Sequence, residues 1–260
     1  MTSGKKARSQ RRTPAPPPVR STGGGRRASP KVLAAGAGAI ALAAVAAALA
    51  FALTGGSSPS TPTTAAGTLP DAGSAVQLFK GIPQHGNVLG KASAPVTMVE
   101  YIDLQCPVCR AFESDVMPTI VPRFVKTGKV RVIARPIAFI GPDSVRGRLA
   151  ALAAGRQNFF FELAQLLYYN QGSENSGWLD DDLIRSAFSS IPGLNVAAAE
   201  QARTETAIAQ EGDRFEAQAT ADNVTGTPTV LVGKTGGKLT EVVSPDVSNL
   251  SAAIQQALKS

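Results

Sequence analysis

The feature that most narrows what this chain can fold into is a run of 22 residues, 32–53 (VLAAGAGAIALAAVAAALAFAL), with neither a charge nor a proline. At about 1.5 Å rise per residue, a helix of this length matches a hydrocarbon core of roughly 30 Å. Inside a bilayer a single segment satisfies its own backbone only as a helix. Nine Lys and Arg lie in residues 1–31, and the first basic residue after the run is Lys80. That asymmetry holds the N-terminus in the cytoplasm and exports the C-terminal remainder of the chain. The expectation is a single-pass signal anchor. A cleaved secretory signal is the alternative, because Ala48-Leu49-Ala50 and Ala50-Phe51-Ala52 resemble cleavage sites. The run exceeds the roughly 7–15 apolar residues of a cleaved signal, which favours the anchor.

The run divides the chain. Residues 1–31, rich in Arg, Pro, Gly and Ser, read as a disordered cytoplasmic tail. Residues 54–75 (TGGSSPSTPTTAAGTLPDAGSA) read as a flexible linker, and a folded domain is expected over 76–260. The formal charge of +7 belongs to the tail: with its nine basic residues set aside, 17 basic stand against 19 acidic, a net of −2. A basic nucleic-acid-binding surface on the domain is therefore not indicated, and no nucleic-acid partner is expected.

Val96 to Ile102 (VTMVEYI) has the composition of a strand buried on both faces, and residues 107–117 that of a helix, with Pro107 suited to its first turn. Pro118 and Pro122 are expected to kink or break that helix before Gly128. Val130 to Ala134 is a second strand, so the unit is βαβ and its strands parallel. A helical block comes next, over about 143–222, with apolar residues at helical spacing. The chain then offers strands at 229–232 and 238–243 as an antiparallel hairpin, and a last helix after Pro245. The fold class is α/β, a central mixed sheet with an all-helical insertion.

Cys106 and Cys109, the two cysteines of the chain, flank Pro107-Val108 where the first strand hands over to the helix. A helix start offers unpaired N–H groups and partial positive charge, both of which stabilise a thiolate. Cys106 is thus the expected nucleophile, and Cys109, one turn inside, the expected resolving thiol. The spacing lets the two sulfurs bond. A zinc site needs about four ligands, and His85, the one histidine, reads as a loop residue without a partner at ligand spacing. A c-type haem attachment requires His where Arg110 stands. A purely structural bridge closing so short a loop constrains little of the unfolded chain. No metal and no cofactor is expected beyond the Cys106–Cys109 disulfide itself.

Strand, Cys106-Pro-Val-Cys109 at a helix start, helical insertion, Gly226-Thr227-Pro228 before a strand, hairpin and helix succeed one another in that order over residues 76–260. In this the domain resembles the thioredoxin superfamily, and more closely its DsbA-like, membrane-associated bacterial branch. The resemblance implies a thioredoxin-like fold and protein disulfide oxidoreductase activity. It implies that Thr227-Pro228 is a cis-proline loop facing the cysteines, and that Thr227, Pro228, Pro107 and Val108 meet bound peptide. Glu100, six residues before Cys106, stands where the family often keeps a buried acid. It either relays the proton of Cys109 or reaches solvent or an ion pair. The sequence departs from strong oxidases of this branch in lacking His between the cysteines.

The leading functional expectation is an extracytoplasmic oxidase that forms disulfides in exported proteins. Its partners would be thiol-bearing exported substrates and a membrane thiol oxidase that recycles it. A reductase or isomerase is the alternative within the class, since two residue identities do not fix a reduction potential. A non-catalytic peptide-binding or chaperone-like module is the alternative outside it.

Overall fold

The structure, a computed structural model, describes residues 67–260. The expectations for the tail 1–31, the apolar run 32–53 and the linker as far as residue 66 lie outside the described residues. Among the described residues, no helix is long and apolar enough to cross a membrane.

The strands are β1 (Gln84–His85), β2 (Val88–Leu89), β3 (Val96–Ile102), β4 (Val130–Pro136), β5 (Thr229–Lys234) and β6 (Thr240–Glu241). They form one mixed sheet in the order β1-β2-β4-β3-β5-β6. β3 pairs parallel with β4 and antiparallel with β5, so it is central. All seven of its residues are buried, which is why its sequence is largely apolar, without alternation, apart from Thr97 and Glu100. β4, covered less completely, alternates buried and half-buried residues.

The β3–β4 crossover is a continuous helical rod, α2 (107–125). Of the kink or break expected at Pro118 and Pro122, the break is absent: the helix runs on past both, though its α-turns are interrupted. Two π-helical turns, Phe112–Val116 and Val121–Val125, alternate with the α-helical pieces Pro107–Ala111 and Met117–Ile120. The N–H of Met117 bonds the Phe112 carbonyl and that of Lys126 the Val121 carbonyl, one residue wider than an α-turn. The wider turn carries the chain past each proline without an α-helical bond to the missing N–H. Burial of Phe112, Met117, Ile120, Val121, Phe124 and Val125 holds the rod on the sheet.

The domain begins earlier than residue 76. Helix α1 (Ala72–Phe79) starts inside the stretch read as linker, because Ala72, Ala75 and Phe79 form a buried stripe. The Phe79 ring meets Phe161, with ring centroids 5.8 Å apart. The β1–β2 hairpin was not anticipated, since strands of two residues show no period. It turns at Gly86 (φ 58°), and Asn87 donates its side-chain amide to the Ala134 carbonyl. His85 therefore belongs to an edge strand rather than a loop.

The helical block resolves into α3 (Pro142–Gly155), α4 (Phe160–Tyr169), α5 (Asp181–Ser189), α6 (Val196–Ala202) and α7 (Thr206–Ala221). α5 and α6 start at side-chain caps, Asp180 and Asn195. The final hairpin forms as expected, but its second strand is shorter than 238–243. A Cβ on Gly233 would stand 2.3 Å from the Lys238 carbonyl, so the returning chain presses on Gly233 and joins the ladder only at Thr240. The last helix, α8 (Val247–Lys259), is capped by Asp246 and packs on β5.

Candidate active site

Cys106 caps the N-terminus of α2. Its backbone is extended (φ −72°, ψ 120°), and Pro107 occupies the first turn, where a missing N–H costs nothing. The Cys106 sulfur accepts the N–H of Cys109 at 3.4 Å. Because β5 starts opposite Tyr101, the residues just before it lie beside the exit of β3. The Thr227–Pro228 bond is cis, and the Thr227 carbonyl accepts from the Cys106 thiol at 3.3 Å. The topology thus brings together the predicted Cys106, Cys109, Thr227 and Pro228, although 121 residues separate Cys106 from Thr227.

Both cysteines are free thiols, and their surroundings drive them apart. The Cys106 thiol is lowered to about 6, first by a hydrogen bond from the Cys109 thiol and then by the Thr227 side chain and the N–H groups of Cys109 and Val108, against the effect of burial. Cys109 is fully buried and pushed well above the ordinary thiol value, by burial first and then by Cys106. A thiol 6% exposed that ionises easily thus stands one turn before a wholly buried thiol that keeps its proton. Pro107, Val108 and Arg110 are exposed, Val108 by 63%. Val108, Phe112, Val116, Thr227, Pro228 and Pro245 contribute to an open groove of about 520 Å³ along the proline loop.

Glu100 lies in the middle of β3, 1% exposed. Among the described residues it makes no ion pair, and one of its carboxyl oxygens has no hydrogen-bond partner. Its burial does not match the reading in which it reaches solvent. Burial raises its carboxyl to about 8. Sequence reasoning missed its neighbour Glu113, on the first π turn of α2. Glu113 is also buried and raised well above the carboxylate range, by burial and then by the charge of Glu100. A signal existed: Glu113 follows Cys109 by four residues, the spacing of one helix face. The Tyr168 hydroxyl donates to the Asp103 carbonyl at 3.2 Å and is raised by burial, then by Cys109, Glu113, Asp103 and Glu100. The two acids and the inner thiol thus share one buried region.

The loop before Cys106 was also not singled out. Asp103 and Gln105 are fully buried. The Asp103 carboxylate accepts the N–H of Gln105 and that of Ile140, each at 2.8 Å. His85, on the edge strand β1, plays no part in this arrangement.

The family profile described as Thioredoxin matches residues 84–256. The probable disulfide bond formation protein D of Bacillus cereus is 30% identical over 174 residues, covering 66% of this chain and 78% of that protein. The disulfide bond formation protein D of Bacillus subtilis is 29% identical over 167 residues, covering 62% and 72%. Among solved structures, oxidised BdbD of Bacillus subtilis superposes with a TM-score of 0.60 at 24% identity, covering 69% of this chain and 98% of that one. Wolbachia pipientis alpha-DsbA1 gives 0.56 at 19% identity, covering 66% and 90%. These likenesses carry the same fold, with its helical insertion between the parallel and antiparallel halves of the sheet. By fold, motif and sequence, the chain belongs to the thioredoxin family, as a DsbA-like thiol–disulfide oxidoreductase.

Proposed function

We propose that this protein is an extracytoplasmic oxidase that introduces disulfides into exported proteins. The observation that carries the reading is the opposed acidity of the pair: Cys106 lowered to about 6, Cys109 raised. Stabilising the Cys106 thiolate stabilises the reduced protein, and a pair whose reduced form is stabilised is a strong oxidant. The names of the Bacillus relatives support the same direction. The missing His between the cysteines is offset by N–H and thiol donors directed at the sulfur.

In the forward reaction a substrate thiolate attacks Cys106 Sγ in the Cys106–Cys109 disulfide. The bond between the cysteines breaks, a mixed disulfide forms, and Cys109 leaves with the electron pair. Glu100, protonated near neutral pH, supplies a proton to Cys109, with Glu113 holding the adjoining proton. The substrate's second thiolate then attacks the substrate sulfur of the mixed disulfide and releases Cys106 as a thiolate. Two electrons pass from substrate to protein. Pro107, Val108, Thr227 and Pro228 line the surface on which the substrate segment lies. Re-oxidation calls for a membrane thiol oxidase as electron acceptor, and residues 32–53 tether the domain beside it.

Two measurements test this. The reduction potential is expected near the roughly −120 mV of a strong oxidase; a value near about −270 mV would make the protein a reductant. Cys109→Ser is expected to accumulate mixed disulfides with exported proteins. Cys106→Ser should accumulate none, and adducts at Cys109 instead would reverse the assigned roles.

A further inference from the structure

The loop 103–106 that delivers Cys106 to the helix is buried throughout, so each of its polar groups needs a protein partner. Those partners come in large part from the helical insertion. Gln171, in the loop after α4, uses one amide nitrogen twice: Nε2 donates to the Leu104 carbonyl at 2.9 Å and to the Cys106 carbonyl at 3.3 Å. Both hydrogens of that nitrogen are thereby engaged. Two residues before the helix proper, Gln105 is gripped from the same side. Its Nε2 donates to Ser144 Oγ at 2.9 Å and to Asn175 Oδ1 at 3.2 Å, and its Oε1 accepts the Asn175 N–H at 2.6 Å. The insertion also approaches closely at Gly147, where a Cβ would stand 3.1 Å from the Leu104 side chain.

We propose that Gln171 is a positioning residue: by holding the Leu104 and Cys106 carbonyls it fixes residue 106 so that its sulfur stays over the Cys109 N–H. This rests on the reading of Cys106 as the reactive thiol. Of the sulfur's contacts, the one that favours the thiolate is the bond from the Cys109 N–H at 3.4 Å, and a rotation of residue 106 that carries the sulfur away from that N–H loses it. The Cys106 carbonyl also takes the first intrahelical bond, from the Arg110 N–H at 2.9 Å. Gln171 therefore steadies the residue on which the helix start and the sulfur both depend. The insertion, on this inference, tunes the reactive thiol as well as enlarging the domain.

The test is the pH dependence of Cys106 alkylation in the reduced full chain, read at that residue by mass spectrometry. Gln171→Met keeps the length and removes both donors. It is expected to move the alkylation midpoint upward and slow alkylation at pH 5 by threefold to tenfold. Gln171→Lys keeps donors and adds positive charge, so its midpoint should stay at or below that of the parent. Asn170→Ala is the control, because Asn170 bonds Pro70 and Leu166 and leaves the 103–106 loop alone. It should lower thermal stability without moving the midpoint. The proposal is overturned if Gln171→Met keeps the parent midpoint, or if Gln171→Lys and Asn170→Ala raise it as much. Should Gln171→Met not fold, Gln171→Asn, which keeps a neutral amide but draws it back from the two carbonyls, decides the same question, with the midpoint raised if the proposal holds and unchanged if it does not. An ordinary thiol midpoint in the parent would instead sink the reading of Cys106 itself.

Discussion

The start of α2 and the pocket one turn inside it hold the same residue type in opposite states. At the helix start, Cys106 receives N–H and thiol donors and ionises near 6. Inside, Cys109, Glu100 and Glu113 meet burial and one another, and all three are held toward their protonated forms. The comparison teaches that three residues of helix suffice to reverse the acidity of a thiol. What changes between the two places is the supply of donors against the loss of water. On the proposed function it also separates labour: the outer sulfur would be the one attacked, and the inner region would store the proton.

The comparison breaks most decisively at its outer member. Cys106→Ser should reduce thiol transfer to below about one-thousandth, since the remaining thiol, Cys109, is wholly buried, as insulin reduction or oxidative refolding assays would show. Activity retained through Cys109 would mean that the two regions are interchangeable.

The inner region is tested through stability. A carboxyl whose folded value is about 8, against 4.5 unfolded, keeps its proton in the folded state after the unfolded chain has lost it. The folded state then binds more protons, so its contribution to stability falls as pH rises from 4.5 to 8. Glu100→Gln should remove that loss and stabilise the reduced protein at pH 8 by on the order of 4 kcal/mol, with little change at pH 4. Urea unfolding at the two pH values checks it; a parallel shift at both would show a packing effect instead.

A smaller effect separates the redox states. The lowered Cys106 value gives the reduced protein a stabilising term that is complete above about 9 and lost as pH falls through about 6. The oxidised protein has no such titration. Melting of the reduced form relative to the oxidised form should therefore rise by a few degrees between pH 6 and pH 9. A gap that is flat with pH would deny the thiolate its stabilisation. The smallest effect belongs to Arg110. It is exposed and its charge is screened by solvent, so Arg110→Gln should move the Cys106 alkylation midpoint by less than about half a unit. A larger shift would make side-chain charge, rather than the donors at the helix start, the source of the acidity.

Much of this site was legible because its signals are local. The mostly apolar run of β3, the cysteines at the next junction and the Thr-Pro before a strand each fit within a few residues. The parallel β3–β4 pairing followed from the length of the crossover. Glu113 was legible in principle, at helical spacing from Cys109, but its carboxyl gains meaning only beside Glu100 on another element. The passage of α2 through two prolines was not legible, because the penalty of a proline is local while the burial that outweighs it belongs to the whole sheet face. The short β1–β2 hairpin and the early start of α1 escaped for the same reason: each is too brief to show a period, and each is held by contacts to distant residues.

The sequence by itself determined that two thiols sit at a strand-to-helix junction, in a domain built as βαβ, helical block and ββα, because backbone hydrogen bonding and side-chain period are fixed over a few residues. Only the tertiary structure decided how acidic each thiol is, which acids lie behind them, and that Gln171 holds carbonyls as far as 67 residues earlier in the chain. Burial and long-range hydrogen bonds set those properties, and neither exists until the chain has closed on itself.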